Sequence, residues 1–554
     1  MLSLTGQNLY PCLTPWIDSS IMTRLLFGQA YYLRFDAKLW EAMKPYPPLG
    51  TMIAASLMRR KGYEVALFDA MLAKSEAAWA AALDREPPDI AIIYEDNFNY
   101  LSKMCLLRMR QACFTMIEMA NKRGLPVIVA GSDPSDHAAA YLGQGADFVL
   151  LGEGEATLAA LLDRLTGRTS QPLSQIEGLA YHAADPLAEG NNDSSFALPQ
   201  TGSDEGESRY LRTPARPDIK ALDDLPFPAW DLVDVERYRR IWLDRHGYYA
   251  MNMVTTRGCP YHCNWCAKPI WGQRYNSRSP ENVVEEMVWL KETYGPDYIW
   301  FADDIMGLKP GWLEKFSQLV AEKQAQIPFK CLSRADLLLR GDTIRALKRA
   351  GCDFVWIGAE SGSQKILDAM EKKTRVEQIV EATEKMRQAD FRIAYFLQFG
   401  YPGETRADIE KTLALVRRCQ PDDIGMSVSY PLPGTPFHER VRDELGLKQN
   451  WLDSADFDML YHGPFVADFY RKLHTVLHKE HRSMQTWRRL PELARNMGRT
   501  TVRQLLRMLY YRLSLPLDRR RLDRLAKQSH QGPESLPPGM SYQAAATPTP
   551  QTER

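Results

Sequence analysis

Short apolar runs alternate with amphipathic stretches in two separate parts of this chain. In residues 47–170 the runs Val65–Phe68, Ile90–Tyr94, Val127–Ala130 and Phe148–Leu151 read as buried strands. Segments such as Met52–Arg60 and Lys103–Arg123 between them are long enough for crossover helices. Strands and helices repeating every ~20–40 residues predict a parallel, doubly wound sheet. Residues 1–46 follow the pattern loosely, with a strand expected near Leu2–Tyr10 and then an aromatic-rich stretch of no clear assignment. From Tyr249 the alternation resumes. The expected strands are Ala250–Thr255, Tyr298–Ala302, Phe329–Leu332, Phe354–Gly358, Ile393–Phe399 and Gly425–Tyr430. Helical patterns at Glu281–Thr293, Thr343–Ala350, Val376–Ala389 and Ala407–Cys419 fall between them. Six βα repeats in about 195 residues predict a partial barrel that works from the C-terminal ends of its strands.

Between the two units the chain turns polar and is broken by Pro, Gly, Ser and Asn, most densely from Ala188 to Ser208, a linker composition. Beyond residue 446 helical patterns dominate. The expected organisation is a sheet domain over 1–170, a linker over 171–245, the barrel over 246–445, a basic helical region over 446–528 and a disordered tail over 529–554. From Arg471 to Lys527 there are 16 Lys or Arg against four acids. Within Thr501–Leu513, Val502, Leu505, Leu506, Leu509 and Leu513 share one helical face, with Arg503 and Arg507 away from it. Two readings stand. The helix packs on the barrel with a solvated cationic side, or it makes peripheral contact with an anionic membrane surface. No nucleic-acid motif accompanies the charge, so nucleic-acid binding is not expected.

Composition narrows the class. The 554 residues exceed one ordinary core, and 45% hydrophobic with 25% charged residues is average for globular chains. Collagen-like, wholly disordered and polytopic membrane proteins are excluded. Lys plus Arg and Asp plus Glu both number 69, so a chain-wide polyanion-binding role is unsupported. The first basic residue is Arg24 and no secretory signal pattern follows, so a cytoplasmic location is expected. Of nine cysteines, three crowd into Cys259–Cys266, which points to a metal before a crosslink. Cys105, Cys113, Cys352 and Cys419 read as core packing, and Cys331 as a buried small side chain.

That cluster, Thr256-Arg-Gly-Cys259-Pro-Tyr-His-Cys263-Asn-Trp-Cys266, follows an expected strand. Three thiolates at C-x3-C-x2-C spacing can wrap one face of an iron–sulfur cubane and leave its fourth iron open. A structural zinc or iron–sulfur module is the non-enzymatic alternative, although zinc sites come as two paired ligand motifs and no second C-x2-C is present. The loop, with Trp265 just before its third Cys, resembles the radical S-adenosylmethionine (radical SAM) superfamily. The resemblance implies that Cys259, Cys263 and Cys266 hold a 4Fe-4S cluster, with S-adenosylmethionine on the fourth iron. Reductive cleavage would then give a 5′-deoxyadenosyl radical, the electron coming from an external donor such as flavodoxin or ferredoxin. The other motifs stand in the expected order at strand ends. They are Phe301-Ala-Asp303-Asp304, Cys331-Leu-Ser333-Arg334, Trp356-Ile-Gly358-Ala-Glu360-Ser-Gly362, Gly400-Tyr-Pro-Gly403 and Pro431-Leu-Pro-Gly434. The resemblance assigns Trp265, Asp303, Asp304, Ser333, Arg334, Gly358 and Glu360 to the cofactor, with Ala-Asp-Asp standing where the family commonly has Gly-Gly-Glu.

In the first unit, Pro47-Pro-Leu-Gly50, Gly131-Ser132 and Gly152-Glu153-Gly-Glu155 are glycine-bearing loops beside strands or helix starts. With Leu225-Pro-Phe-Pro-Ala-Trp230-Asp231 before the barrel, they resemble the cobalamin-binding subgroup of that superfamily, over about residues 45–445. The implied fold is α/β: an N-terminal Rossmann-like cobalamin-binding domain, a partial (β/α)6 TIM-like radical SAM barrel and a helical C-terminal region. The corrin would lie between the two, touched by Pro47, Gly50, Gly131, Ser132, Gly152 and Glu153. The Asp-x-His-x-x-Gly motif that supplies a cobalt ligand is absent, and His137 reads as a loop-surface residue. The implied activity is C-methylation of an unactivated carbon in a small-molecule, lipid or peptide substrate. The alternative with the same cofactors is an oxidative, ring-forming cyclase of the tetrapyrrole type. No acid–base pair suggests itself, and Tyr395 and Tyr430 are the only late-strand tyrosines weighed for the pocket.

Overall fold

The computed structural model describes residues 22–99, 106–183, 210–266, 270–446, 450–452, 454, 456–495 and 499–528. The expected strand near Leu2–Tyr10, Cys105, the densest linker stretch and the tail from Ser529 lie outside them. The first described strand is β1 (Arg24–Gly28), followed by β2 (Glu64–Phe68), β3 (Ile90–Tyr94), β4 (Val127–Ala130) and β5 (Phe148–Leu150). These five pair in parallel in the order β2-β1-β3-β4-β5. Strands β1, β3 and β4 are buried almost throughout, because helices cover both faces and the runs are apolar on both sides. Two short antiparallel strands, β6 (Leu179–His182) and β7 (Tyr210–Arg212), extend this sheet at one edge. The first unit thus runs past residue 170 into the stretch expected to be linker. Its polar composition concealed strands of only three or four residues.

The second unit contains β8 (Ala250–Met253), β9 (Thr256–Arg257), β10 (Asn276–Ser277), β11 (Tyr298–Phe301), β12 (Phe329–Ser333), β13 (Cys352–Glu360), β14 (Arg392–Phe399) and β15 (Asp423–Val428). Six of them form an all-parallel curved sheet in the order β15-β14-β13-β12-β11-β8, each predicted strand appearing within about two residues of its expected position. Alternate residues divide the sheet's two faces. Phe301 and Phe329 pack against Phe316 of the helix Trp312–Glu322, so their parity faces the helices. Asn252, Trp300, Lys330 and Phe354, aligned across β8, β11, β12 and β13, take the inner face.

The helix Val235–His246 fastens the units together. Its Tyr238 hydroxyl donates to Asp69 at 2.6 Å, Arg237 reaches the Leu72 carbonyl at 2.7 Å, and Trp242 Nε1 donates to the Pro45 carbonyl at 2.8 Å. Beyond the barrel, the helices Ala467–Arg488 and Arg499–Leu525 pack on each other. The first of them lies against the barrel through His481, bonded to the Pro421 carbonyl at 2.9 Å.

Gly362 shows how tightly the barrel helices sit. A Cβ there would lie 2.4 Å from the Lys411 carbonyl oxygen and 2.7 Å from Thr412 Cα, both backbone atoms. The glycine at the end of this motif therefore admits the helix Arg406–Cys419, and we expect Gly362→Ala to destabilise the barrel by about 1–3 kcal/mol. Thermal unfolding followed by circular dichroism checks this, and an unchanged midpoint would contradict the packing described.

Candidate functional site at the sheet–barrel junction

The cysteine loop leaves the barrel after β9 and returns at β10, and these two strands pair antiparallel at its base. None of Cys259, Cys263 and Cys266 is in a disulfide; Cys263 is buried and the other two are half-buried. Asp303 holds the loop's entry, accepting from the Thr255 and Thr256 amides at 2.7 and 2.8 Å and from the Thr255 hydroxyl at 2.7 Å. Burial pushes this carboxyl up to about 6 against those hydrogen bonds, so it is charged at neutral pH. Asn264 holds the middle of the loop. Its side chain donates to the Ala369 carbonyl at 2.8 Å and accepts from the Tyr401 hydroxyl at 2.9 Å. Among the described residues no three His, Cys, Asp or Glu side chains are gathered around a single-ion position. A four-iron cluster takes each thiolate at a different iron, so its ligands stand apart.

Across from the loop, the ends of β12 and β13 bring Ser333, Arg334, Gly358 and Glu360 together. Arg334 donates to the Lys372 carbonyl at 2.7 Å and to Thr374 at 2.8 Å, pairs with Asp336 at 2.9 Å, and reaches to 3.9 Å from Cys263 Sγ. Glu360 is paired with Lys372 at 2.9 Å, both side chains 7% exposed. Against burial, Glu360 and Cys263 hold the Lys372 ammonium above its ordinary range. Gly358 leaves room for this pair: a Cβ there would lie 2.7 Å from Glu360 Oε1 and 2.8 Å from Lys372 Nζ. Ser333 is buried and its hydroxyl has no hydrogen bond among the described residues.

The third wall is the C-terminal edge of the first sheet. Pro47 and Gly50 open the helix Leu49–Arg60. The Pro47 carbonyl accepts from Asn252 of the barrel at 3.1 Å, and the Gly50 amide donates to Asp96 at 2.9 Å. Gly131 allows β4 to run close beside Glu95, whose Cβ would be 2.8 Å from an added one, and Ser132 is buried next to it. The Gly152 amide donates to Ser135 at 3.1 Å. Along this edge Gln29 Nε2, Tyr31 OH, Glu95 Oε2 and Asn97 Oδ1 are buried without partners, as are Asn252 Oδ1 on the barrel and Trp265 Nε1 on the cysteine loop. Buried polar groups are normally satisfied, so such a set fits a polar ligand between the units. Three cysteines outside any disulfide, beside an Arg, Lys and Glu cradle, likewise fit an iron–sulfur cluster and an amino-acid-like ligand.

Two assignments change. Both Asp303 oxygens are used by Thr255 and Thr256, so Asp303 positions the cysteine loop while half-buried Asp304 stays the candidate for cofactor contact. Glu153 is also committed: its Oε1 accepts from Arg257 at 3.0 Å and its Oε2 from the Ile219 amide. Glu155 takes the other arm of the same guanidinium at 2.6 Å, and all three side chains are 4% exposed. His137 is half-buried 3.7 Å from Asp133, a carboxylate already bound by Arg110 and Tyr141. Tyr395 is buried against Thr383, and Tyr430 packs edge-on to Trp451. Lys372, Glu155 and Asn264 were not singled out from the sequence. Their partners are distant in the chain, although Asn264 and Arg257 lie within the cysteine motif itself.

Removing one partner of a buried ion group strands the others without a counter-charge. We expect Arg257→Met to cost about 3–5 kcal/mol, and Arg257→Met with Glu153→Gln and Glu155→Gln to recover most of it. Thermal unfolding of the two variants tests this; equal loss in both would contradict the charge argument.

Residues 253–416 match the profile of the Radical SAM superfamily. An uncharacterized methyltransferase of Pyrococcus horikoshii is 27% identical over 314 residues, 56% of this chain and 62% of the relative. The anaerobic magnesium-protoporphyrin IX monomethyl ester cyclase of Synechocystis sp. is 24% identical over 347 residues, 62% of each. These two relatives are thus covered over less than two thirds of their length. The hopanoid C-3 methylase of Methylococcus capsulatus is 24% identical over 450 residues, 78% of this chain and 77% of the relative. Among solved structures, the cobalamin-dependent S-adenosylmethionine radical enzyme OxsB, with aqua-cobalamin and S-adenosylmethionine bound, aligns with a TM-score of 0.63 at 15% identity. That alignment covers 90% of this chain and 72% of OxsB. The cysteine loop and the strand-end cradle therefore both lie within the stretch that matches the Radical SAM superfamily, and the fold of the chain is similar to that of OxsB.

Proposed function

We propose that this protein methylates an unactivated carbon of an apolar substrate, using a 4Fe-4S cluster, S-adenosylmethionine and cobalamin at the sheet–barrel junction. The observation that carries the reading is that the three-cysteine loop touches the Arg334–Glu360–Lys372 cradle on one side and is fastened by Arg257 and Trp271 to a sheet edge of unpaired buried polar atoms on the other. The bound groups would supply the hard chemistry: a low-potential electron, a deoxyadenosyl radical and a transferable methyl. The chain's own residues bind and orient. Cys259, Cys263 and Cys266 would hold the cluster, with Arg334 placed beside Cys263. Asp304, Ser333, Gly358 and Glu360 would receive the amino-acid and nucleoside ends of S-adenosylmethionine. Pro47, Gly50, Gly131, Ser132 and Gly152 would line the corrin face, with Gln29, Glu95 and Asn97 offering it hydrogen bonds. An external flavodoxin or ferredoxin would deliver the electron.

Incubated anaerobically with reductant, corrinoid and S-adenosylmethionine, the protein should form both 5′-deoxyadenosine and S-adenosylhomocysteine. Cys263→Ala should abolish the deoxyadenosine and lower iron content while the first unit stays folded. Deoxyadenosine without S-adenosylhomocysteine would favour the ring-forming reading, and full iron content in Cys263→Ala would refute the ligand assignment.

The C-terminal region adds a partner. One side of the helix Arg499–Leu525 packs on the helix Ala467–Arg488 through Leu522, Asp518 with Lys472 and Lys479, and Arg519 with Glu480. The other side carries Val502, Leu506, Leu509, Tyr510, Leu513 and Leu517, between 44% and 70% exposed. The apolar face predicted from the sequence is therefore turned outward, not packed on the barrel. Arg503, Arg507, Arg520, Arg521 and Arg524 are exposed on this helix, and none makes an ion pair among the described residues. No described helix is long and apolar enough to cross a membrane. An apolar stripe bordered by unpaired arginines suits the surface of an anionic bilayer, which is the partner we assign to it. The protein should float with phosphatidylglycerol-containing vesicles and not with phosphatidylcholine alone, and Leu506→Ser with Leu513→Ser should abolish flotation. Flotation unchanged in that variant would overturn the assignment, as would a wild-type dimer that the variant turns into a monomer.

A further inference from the structure

The inner face of the barrel carries an aromatic wall made of residues outside the cofactor cradle described above. In register across the sheet, Trp300, Lys330 and Phe354 form one layer, and Leu332 with Trp356 the next toward the C-terminal ends. Phe396, beside Gly358, closes the series. Trp356 and Phe396 stack at 4.6 Å, and Phe354 lies 5.9 Å from Trp356. These rings are half-buried or, for Phe396, 39% exposed, although they point into the fold. Gly425 keeps the wall open, since a Cβ there would lie 3.3 Å from both Phe396 and Trp356.

Lys330 is the charged group set into this wall. Its ammonium lies 5.1 Å from the centroid of Trp300 and 5.5 Å from that of Tyr46, and it makes no ion pair among the described residues. Burial, with Lys44 and Arg392 nearby, pushes it down to about 7, and only Asp423 acts in the opposite direction. A half-buried ammonium held by ring faces, with no carboxylate at ion-pair distance among the described residues, gains from an incoming anion. Lys330 also lies three residues before Ser333, about 10 Å along the strand from the cofactor cradle.

We propose that this aromatic wall is the substrate's seat, and that Lys330 pairs with a carboxylate at the end, far from the cofactor cradle, of an otherwise apolar, flat or elongated molecule. This rests on the radical reading above and names the substrate class for the same site. The aromatic faces supply apolar area, and Lys330 fixes which end enters first and how far it reaches.

Pyrenebutyrate and its methyl ester serve as probes, each titrated against the anaerobic holoenzyme while tryptophan fluorescence is followed. The acid should bind at least about tenfold more tightly than the ester, the value of one added charge-assisted bond. Lys330→Met should bring the acid to the ester's affinity without weakening the ester, and Lys330→Arg should restore the preference. Trp356→Ala should weaken both probes. Equal binding of acid and ester by the wild type, or an undiminished preference in Lys330→Met, would overturn the inference. Cys263→Ala separates the two claims, since it should bind pyrenebutyrate normally while forming no deoxyadenosine. A protein that prefers the acid yet makes no deoxyadenosine in any form would leave the wall standing and sink the radical reading.

Discussion

A guanidinium with almost no water around it must find its counter-charges in the protein, and Arg257 finds them in the other structural unit. Glu153 and Glu155 come from the cap and first turn of the helix Gly154–Leu165 that follows β5, while Arg257 precedes Cys259 by two residues. Phe98 and Trp271, stacked at 5.0 Å, lie beside the same guanidinium. Such a group is stable only when all its members are present and aligned. The position of the cysteine loop relative to the first sheet follows from that requirement. Asp303 then fixes the loop against the barrel strands, and Asn264 ties it to the segment after β13. The loop is held from three sides before any cluster is bound.

The division of polar groups follows the division of labour. Those that position the loop are saturated: Asp303, Arg257 and Arg334 have their partners at ordinary distances. Those facing the junction include several that lack them, among them Gln29, Glu95, Asn97 and Asn252. A site that takes large polar cofactors leaves such groups open until binding satisfies them.

What the sequence disclosed depended on the range of the interaction. The six barrel strands were legible because each is a buried apolar run between helices of ordinary length, and local pattern suffices for that. The cysteine triad was legible because its ligands sit within eight residues. Glu153 and Asp303 were seen as loop-end carboxylates but given to cofactors, because their partners are the guanidinium of Arg257 and the backbone near Thr255, about 50 to 100 residues away in the chain. Lys372 was passed over for the same reason: it follows Glu360 by twelve residues and meets it only through the turn after β13. The C-terminal helix was recognised as amphipathic, but which side it buries is set by Asp518 and Leu522 against a neighbouring helix, and periodicity does not carry that.

The central claim is that one clamped junction holds both an iron–sulfur cluster and a corrin ring. Iron, sulfide and corrinoid content of protein purified anaerobically from cobalamin-supplied cells tests it most directly, by metal analysis and mass spectrometry. The account predicts about four iron atoms and about one corrinoid per chain, bound together. A full complement of iron with no corrinoid, after supply and reconstitution, would contradict it and leave the first sheet a scaffold for radical chemistry of another kind.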